Sequence, residues 1–286
     1  MVRGIQDRIF NGIIIVLLAL CGAAALFPML YVVSVSITPI SEVLKNGGFM
    51  LIPKEITFTA YSKLIHESGM MDALGITILI TVLGTALNML FTVLMAYPLS
   101  RKRLPARSAL LLMVVFTMLF GGGLIPTYLV VKSSGLLNSI WALIIPNLIW
   151  SFNILIVKSF LEQLPEELFE SAKIDGTSDF RILWQIVVPL SLPVMVTVGL
   201  FYGVGHWNEF FQAIMYVTNR KLFPLQVIVR EILMQTQQPL ENAENITPTE
   251  TLQMAAVVMA SLPIILVYPF LQKHFTRGML LGSVKG

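Results

Sequence analysis

Long apolar stretches alternate with short polar segments along all 286 residues of the chain. Each apolar stretch approaches or exceeds the roughly 20 residues that an α-helix needs to cross a hydrocarbon core about 30 Å thick. Because backbone polar groups in lipid must be satisfied within the segment, such spans are expected to be helices. The pattern predicts an all-α polytopic membrane protein, a single transmembrane domain over residues 1–286, with six helices at about 10–37, 73–98, 108–130, 140–158, 192–218 and 252–272.

The composition favours the same class. Hydrophobic residues make up 56% of the chain and charged residues 12%, against about 25% charged residues in soluble domains. The net charge of +3 is small, and no basic patch is interleaved with aromatic residues, so nucleic acid is not an expected partner. The lone cysteine, Cys21, excludes an internal disulfide.

The first apolar stretch has two possible interpretations. Arg3 and Arg8 precede it and three alanines follow at 23–25, as in a cleaved secretory signal. The apolar character continues to Ile37, however, which is longer than the apolar region of a signal peptide. We therefore interpret it as an uncleaved first helix.

The basic residues predict the orientation of the spans. With the N-terminus inside, cytoplasmic segments hold twelve of the 19 lysines and arginines, and the compact cluster Arg101–Arg107 is the strongest indication. Both termini are then cytoplasmic, and so is the segment 162–190 between helices 4 and 5.

Two further segments contain helix-breaking residues. Gly121–Gly123 followed by Pro126 should interrupt the third span, either as a simple helix end or as a break that lines a pathway. The outer segment from Asn219 to Glu250 holds Pro239 and Pro248 and shows almost no periodicity, which predicts a loop.

The longest charge-rich interval runs from Leu164 to Pro193, and six acids lie between positions 162 and 179. Pro165 suits the first turn of a helix, and Asp175-Gly176 suits its end. Thr177 or Ser178 can cap a second helix, which prolines 189 and 193 are expected to stop. The pattern predicts two short helices joined by a sharp bend at the glycine.

This helix-turn-helix could lie on the membrane surface or dock a partner protein. Helices on membrane surfaces prefer basic polar faces, whereas this segment is acidic. Its acids therefore favour a partner protein.

The same residues resemble a family motif. Glu170-Ser171-Ala172, Asp175-Gly176 and Phe180, followed by the two prolines, resemble the EAA motif of binding-protein-dependent ABC importer permeases, whose form is close to E-A-A-x-x-D-G-A. The chain differs from that form at Ser171 and Thr177, both small residues. The stretches 205–210, 224–226 and 277–286 resemble the carbohydrate-uptake branch, the maltose-type second permease, and GGLIPTY and GHWN resemble its lipoprotein or complex-oligosaccharide subgroup.

This resemblance implies a permease in the bacterial cell membrane that forms half of a translocation pathway for a sugar or oligosaccharide. The implied partners are a second permease subunit in a heterodimer, a dimeric ATPase that binds ATP and magnesium, and an extracytoplasmic solute-binding protein. No cofactor is expected on this chain itself. The implied ATPase-coupling residues are Glu170, Ser171, Ala172, Asp175, Gly176 and Phe180.

The fifth span supplies the candidates for contact with the substrate, which are Tyr202, His206, Trp207, Asn208 and Glu209. Tyr202, His206 and Glu209 share one helical face, while Gly199 and Gly203 form a pair of small residues on another. An acid within the membrane is by default a functional candidate. Alternatively, the polar residues here pair with a neighbouring helix and hold the bundle together.

Catalysis is not expected of this chain. It has no Walker A pattern, and its three histidines show no metal-binding spacing. The alternative function is that of a self-contained secondary transporter for a small polar solute. Such a protein would usually show an internal repeat and charged residues in several spans, and only Glu209 is clearly intramembrane here.

Overall fold

The computed structural model describes residues 5–47, 49–235 and 250–283, and every regular element in these ranges is a helix. The α-helices are α1 (Ile5–Ser36), α2 (Ile40–Lys45), α3 (Thr59–Glu67), α4 (Met70–Ser100), α5 (Arg107–Leu119), α6 (Leu124–Ser133), α7 (Ser151–Leu161), α8 (Glu167–Ile174), α9 (Asp179–Ile182), α10 (Val188–Leu190), α11 (Leu192–Trp207), α12 (Phe211–Tyr216), α13 (Leu225–Gln235) and α14 (Glu250–Ser283). Short 3-10 turns lie at Ile140–Leu143, Ile145–Asn147 and Arg220–Leu222, and a π-helical segment, Leu183–Val187, joins α9 to α10.

Three helices are long and apolar enough to cross a membrane in one piece, at Ile9–Ser36, Met70–Ser100 and Glu250–Val267. Three bent pairs meet the same test: α5 with α6, the turns of 140–147 with α7, and the segment 179–190 with α11. Counting each pair as one span gives six crossings. The chain is therefore an all-helical, polytopic membrane protein.

The described residues form two compact units, one made of those within 1–71 and 228–262 and the other of those within 72–227 and 263–286. In the first unit, the hydroxyls of Ser36 and Tyr61 lie 2.8 Å apart and join α1 to α3. Phe49 stacks on Phe27 and Tyr31 of α1, with ring centroids 6.0 and 5.5 Å away. These contacts order the predicted outer segment after the first span.

In the second unit, a large apolar core joins α4, α7 and α11 to the helices of the 162–190 segment. Its fully buried members include Ala96 of α4, Val157 of α7, Ile182 of α9 and Val198 of α11. Because α8 contributes Phe169 to this core, the predicted coupling segment packs as part of the helical bundle.

Two predicted spans are interrupted. The third changes direction by 112° between α5 and α6, where Phe120 is extended and Gly123 has a φ of +86°. The fifth ends at Trp207 and does not continue to 218 as one helix; after three intervening residues the chain forms α12, which begins at Phe211. Asn208 donates its side-chain amide to Val204 O at 2.9 Å, a local bond of the kind that competes with a continuing helix.

The second outer segment is also more ordered than its composition suggests. Helix α13 occupies its first part and buries Leu225, Val229 and Ile232. Apolar residues at three- and four-residue spacing make this face, a pattern that the neighbouring prolines obscure. The stretch TQQPLENAENITPTE, predicted as a loop, lies largely outside the described residues.

Candidate functional site

A tight turn at Gly176 ends the first helix of the predicted coupling segment. The amide of Thr177 donates to Ala172 O and that of Gly176 donates to Lys173 O, both at 3.0 Å. Gly176 itself has a φ of +72°. This is the Schellman arrangement, in which glycine adopts the left-handed conformation without the strain of a Cβ atom.

The second helix begins at Ser178, whose hydroxyl accepts the backbone N–H of Arg181 at 3.4 Å. The helical stretch runs through Pro189 and ends at Leu190, between the two prolines that were expected to stop it. Proline lacks the N–H that an α-helix would use, and the π-helical segment Leu183–Val187 immediately precedes it. The chain then turns by 85° into α11, which carries Pro193 in its first turn.

The predicted coupling residues fall into two groups. Glu170, Ser171, Asp175, Gly176 and Phe180 are exposed, whereas Ala172 is buried beside Phe169. Ser171 bonds back to Glu167 O at 2.9 Å, so its hydroxyl is occupied within its own helix.

The tip of the bend is apolar as well as acidic. Ile174 is 86% exposed and Phe180 is 65% exposed, the latter edge-on to Trp184 at 6.1 Å between ring centroids. Ile174 was not among the residues predicted from the sequence. Helical spacing could have identified Ile174. It lies two residues after the buried Ala172, and over two residues a helix turns by about 200°, so Ile174 faces solvent.

Half of the acids in this segment have cationic partners within the chain. Glu162 pairs with Arg107 and Lys158, and Glu170 pairs with Arg103 at 3.5 Å. Asp179 pairs with Lys173 at 3.2 Å. The sequence argument had assigned all the acids to a partner protein; it missed that the 101–107 loop, about 60 residues earlier, lies against the segment.

Arg101, in this loop, packs its guanidinium against two aromatic rings. Its guanidinium carbon lies 3.4 Å from the ring centroid of Phe169 and 5.0 Å from that of Tyr97. Burial lowers the pKa of the guanidinium, while Tyr97, Glu166 and Asp179 oppose that shift. These residues line a cleft of about 490 Å³ between the end of α4 and helices α8 and α9.

A second polar cluster lies in the middle of the bundle, around α11. Nε2 of His206 lies 2.9 Å from Oδ1 of Asn88, and the Asn88 amide donates to Asn147 O at 2.8 Å. Because the carboxamide oxygen can only accept, the imidazole must carry a proton on Nε2. Asn88 is fully buried and His206 is 4% exposed.

Tyr202 extends the same cluster towards α7. Its hydroxyl lies 2.8 Å from that of Thr92 and accepts the backbone N–H of Trp150 at 3.1 Å. The Tyr202 and Trp150 rings also pack together, with centroids 5.0 Å apart. Tyr202 and Thr92 are both fully buried, so this group of hydrogen bonds connects α4, α11 and the start of α7.

Glycines allow these helices to approach closely. A Cβ atom on Gly84 would lie 2.5 Å from Nε2 of His206, and one on Gly205 would lie 2.6 Å from the Trp150 ring. The predicted small pair, Gly199 and Gly203, lies opposite Met89 and Thr85 of α4. Larger residues at the two tight positions would push the helices apart.

The remaining pathway candidates lie at the break after α11. Trp207 is buried, Asn208 is exposed, and Glu209 accepts the backbone N–H of Gln212 at 3.0 Å. The helix ends before Glu209, so this acid does not extend the face of Tyr202 and His206 as the periodicity had implied. Gln226 reaches Asn208 Oδ1 at 3.5 Å, which places polar groups from two segments side by side.

Known proteins are similar to this chain in both sequence and architecture. Residues 88–281 match the family described as the binding-protein-dependent transport system inner membrane component. The chain is 45% identical to Protein LplC of Bacillus subtilis, covering 98% of this chain and 96% of that protein. It is 43% identical to the polygalacturonan/rhamnogalacturonan transport system permease protein YtcP of Bacillus subtilis, over 98% and 100% of the two chains.

A solved structure gives the same result. The crystal structure of a bacterial ABC transporter involved in the import of the acidic polysaccharide alginate has a chain that superposes with a TM-score of 0.88 at 32% identity, covering 95% of this chain and 98% of that one. The family match and the full-length relatives together mean that the chain is a multi-pass permease component of the cell membrane, and not the ATP-hydrolysing subunit. It belongs to the family of inner-membrane components of binding-protein-dependent transport systems.

Proposed function

We propose that this permease imports an oligosaccharide rich in uronic acids. The observation that carries this proposal is its similarity, over nearly the whole chain, to a permease for polygalacturonan and rhamnogalacturonan. The structurally similar transporter, which is involved in the import of the acidic polysaccharide alginate, adds independent support. Residues 1–286 then act as one permease domain and supply half of the pathway.

The complete importer contains more than this chain. Membership of the family implies an ATPase and an extracytoplasmic binding protein as partners. We further propose that the other half of the pathway comes from a different permease subunit, so that the pair is a heterodimer. Co-expression with a candidate second permease subunit from the same organism should yield a one-to-one complex, and a stable homodimer would contradict this.

The segment 164–190 is proposed as the site where the ATPase docks. Ile174 and Phe180 provide an apolar contact, the Glu170–Arg103 ion pair and Asp175 provide polar groups around it, and Gly176 fixes the bend. Ser171 and Ala172 hold α8 itself, through a backbone bond and through packing. The exposure of two large apolar side chains at one bend supports this role, because such groups mark interaction sites when they lie together.

Replacing Ile174 tests the docking site directly. Burying an isoleucine side chain contributes about 2 kcal/mol, or roughly thirtyfold in affinity. We expect I174D to lose the ATPase during purification and the matched control I174L to retain it. Retention of the ATPase by I174D would exclude this bend as the docking site.

We also propose that Asn208 and Glu209 contact the carbohydrate, while the other three pathway candidates support the bundle. Tyr202, His206 and Trp207 are buried, and the first two bond to neighbouring segments. Asn208 is exposed at a helix break, beside Glu209 and Gln226. Amide and carboxylate groups at such a position can hydrogen-bond sugar hydroxyls.

Uptake into proteoliposomes tests the proposed cargo. The permease, its partner subunits and its binding protein would be reconstituted and supplied with trigalacturonate or, as a neutral control, maltotriose. We expect ATP-dependent uptake of trigalacturonate alone. Uptake of maltotriose alone would identify a neutral sugar as the cargo, and failure to take up either, with ATP hydrolysis still stimulated by the binding protein, would contradict the carbohydrate proposal.

A further inference from the structure

The loop between α4 and α5 contacts the predicted coupling segment at three points. Arg101 stacks on Phe169 of α8, and Arg103 pairs with Glu170 one residue further on. Arg107 pairs with Glu162, at the start of the segment, and its Nε also donates to Leu99 O of α4 at 2.8 Å. The loop and the first residue of α5 thus connect the end of α4 with α8, at Phe169 and Glu170, and with Glu162 just before α8.

Arg101 lies at the centre of these contacts and is half-buried. Its Nε and Nη2 atoms are inaccessible and have no hydrogen-bond partner among the described residues. Buried donors without partners are unfavourable, so the position of the guanidinium depends on stacking between Phe169 and Tyr97. A planar guanidinium can stack in this way, whereas the compact ammonium group of lysine cannot.

The end of α4 needs such support. Pro98 lies in its last turn and cannot donate a hydrogen bond to the preceding turn. Arg101 stabilises this last turn of α4. Its backbone N–H donates to Pro98 O at 3.0 Å, and its side chain covers the ring of Tyr97. The stacked guanidinium therefore ties the final turn of α4 to α8.

We propose that Arg101 is a positioning residue that makes α4 move together with the coupling segment. The proposal rests on the proposed docking of an ATPase at 164–190. Further along α4, Thr92 and Asn88 bond to Tyr202 and His206 of α11. A displacement of α8 would thus reach the middle of the bundle through Phe169, Arg101 and the rigid length of α4.

Substitution separates this role from that of an ordinary membrane-facing cation. R101M keeps the length of the side chain and removes its charge, and R101K keeps the charge and removes the stacking plane. The matched control is K102M, which removes the adjacent exposed cation. In reconstituted complexes we expect R101M and R101K to retain the ATPase and hydrolyse ATP, while trigalacturonate uptake per ATP falls by about tenfold. K102M should match the parent protein.

The outcomes distinguish this proposal from the docking proposal. Unchanged uptake per ATP in R101M would overturn the role of Arg101 even if I174D still abolishes docking. Loss of the ATPase from both R101M and K102M would also overturn the proposed role of Arg101. Removing either positive charge would then abolish docking, and the stacking of Arg101 would not be needed to explain it.

A cross-linking experiment tests whether the 101–107 loop moves together with α8. It needs no cargo and leaves Arg101 unchanged. Arg103 and Glu170 face each other at an exposed ion pair, and the chain has one native cysteine, Cys21. In a C21S background, R103C/E170C would first be shown to retain the ATPase, because Glu170 lies in the proposed docking site, and would then be treated with a short bis-maleimide in the nucleotide-free, ATP-bound and vanadate-trapped complexes. If the loop moves with α8, the cross-linking rate should stay within about twofold across the three states; a tenfold fall in any state would show that they separate and would overturn the proposal.

Discussion

His206 of α11 and Asn88 of α4 form a hydrogen bond of 2.9 Å between two side chains that are almost completely buried. The residues are 118 positions apart in the sequence, so the bond fixes how two membrane helices pack. Removing either partner leaves polar groups of the other buried and unpaired, which is more costly than losing the hydrogen bond alone.

Asn88→Ala should therefore destabilise the permease. The variant leaves the Nε2 proton of His206 and the carbonyl of Asn147 without their partner, at a cost of about 2–4 kcal/mol. We expect a lower temperature for loss of monodisperse protein in detergent. Asn46→Ala is the control, because it removes an exposed amide with one local bond, and an equal effect of the two substitutions would contradict a special role for Asn88.

Gly84→Ala should be much more harmful than the same change at Gly75. Both glycines lie in α4, but a Cβ atom at position 84 would lie 2.5 Å from His206 Nε2, and one at position 75 meets nothing within 4 Å. We expect a loss of about 1–3 kcal/mol at position 84 and a small gain at position 75, where alanine favours the helix. The stabilities of purified variants measure the difference.

A double variant tests the cause of that loss. Removing the imidazole with His206→Ala makes room for the new methyl group, so the two substitutions should be less damaging together than their sum. Strict additivity would mean that the methyl group does not collide with His206.

Gly176→Val should uncouple transport from ATP hydrolysis while leaving the protein in the membrane. The φ of +72° is unfavourable for a β-branched residue by about 1–2 kcal/mol, so the bend must change shape. Gly176→Asn is the matched control, since asparagine tolerates this conformation. We expect uptake per hydrolysed ATP to fall for valine and to persist for asparagine; normal uptake by the valine variant would argue strongly against the coupling role.

Glu209→Gln should reduce carbohydrate uptake with little effect on stability. Glutamine retains an oxygen that can accept the N–H of Gln212, so the start of α12 is preserved, while the strong hydrogen bonds that a carboxylate accepts from sugar hydroxyls become weaker neutral ones. Initial uptake rates over a range of trigalacturonate concentrations would measure the effect. A variant with unchanged uptake and assembly would remove Glu209 from the pathway residues.

The sequence predicted features that depend on local chemistry. The apolar runs located the membrane-crossing segments, and Asp175-Gly176 located the bend, because a left-handed helix end depends mainly on the glycine itself. Ser178 was one of two predicted caps, and it is the one that accepts a hydrogen bond. Membership of the permease family then removed the alternative of a self-contained secondary transporter.

Features that depend on distant residues could not be predicted in this way. Nothing near His206 in the sequence indicates Asn88 as its partner, and nothing near Phe169 indicates that Arg101 stacks on its ring. Helix α11 was predicted to continue past Trp207, because the apolar periodicity extends beyond that residue. The hydrogen bond from the Asn208 side chain to Val204 O, which competes with a continuing helix, is visible only in the structure. Both kinds of error have one cause, since the pattern along a chain does not contain its tertiary contacts.

The ion pairs between the 101–107 loop and the coupling segment have a consequence for assembly. Glu162, Glu170 and Asp179 already have cations beside them, and residues 101–107 and 158–181 together hold seven lysines and arginines against six acids, so the net charge of this surface is close to zero. An approaching ATPase would gain little long-range attraction, and the complex should form at a rate that changes little with ionic strength. Apolar contact would then hold it, and detergents rather than concentrated salt should separate the subunits.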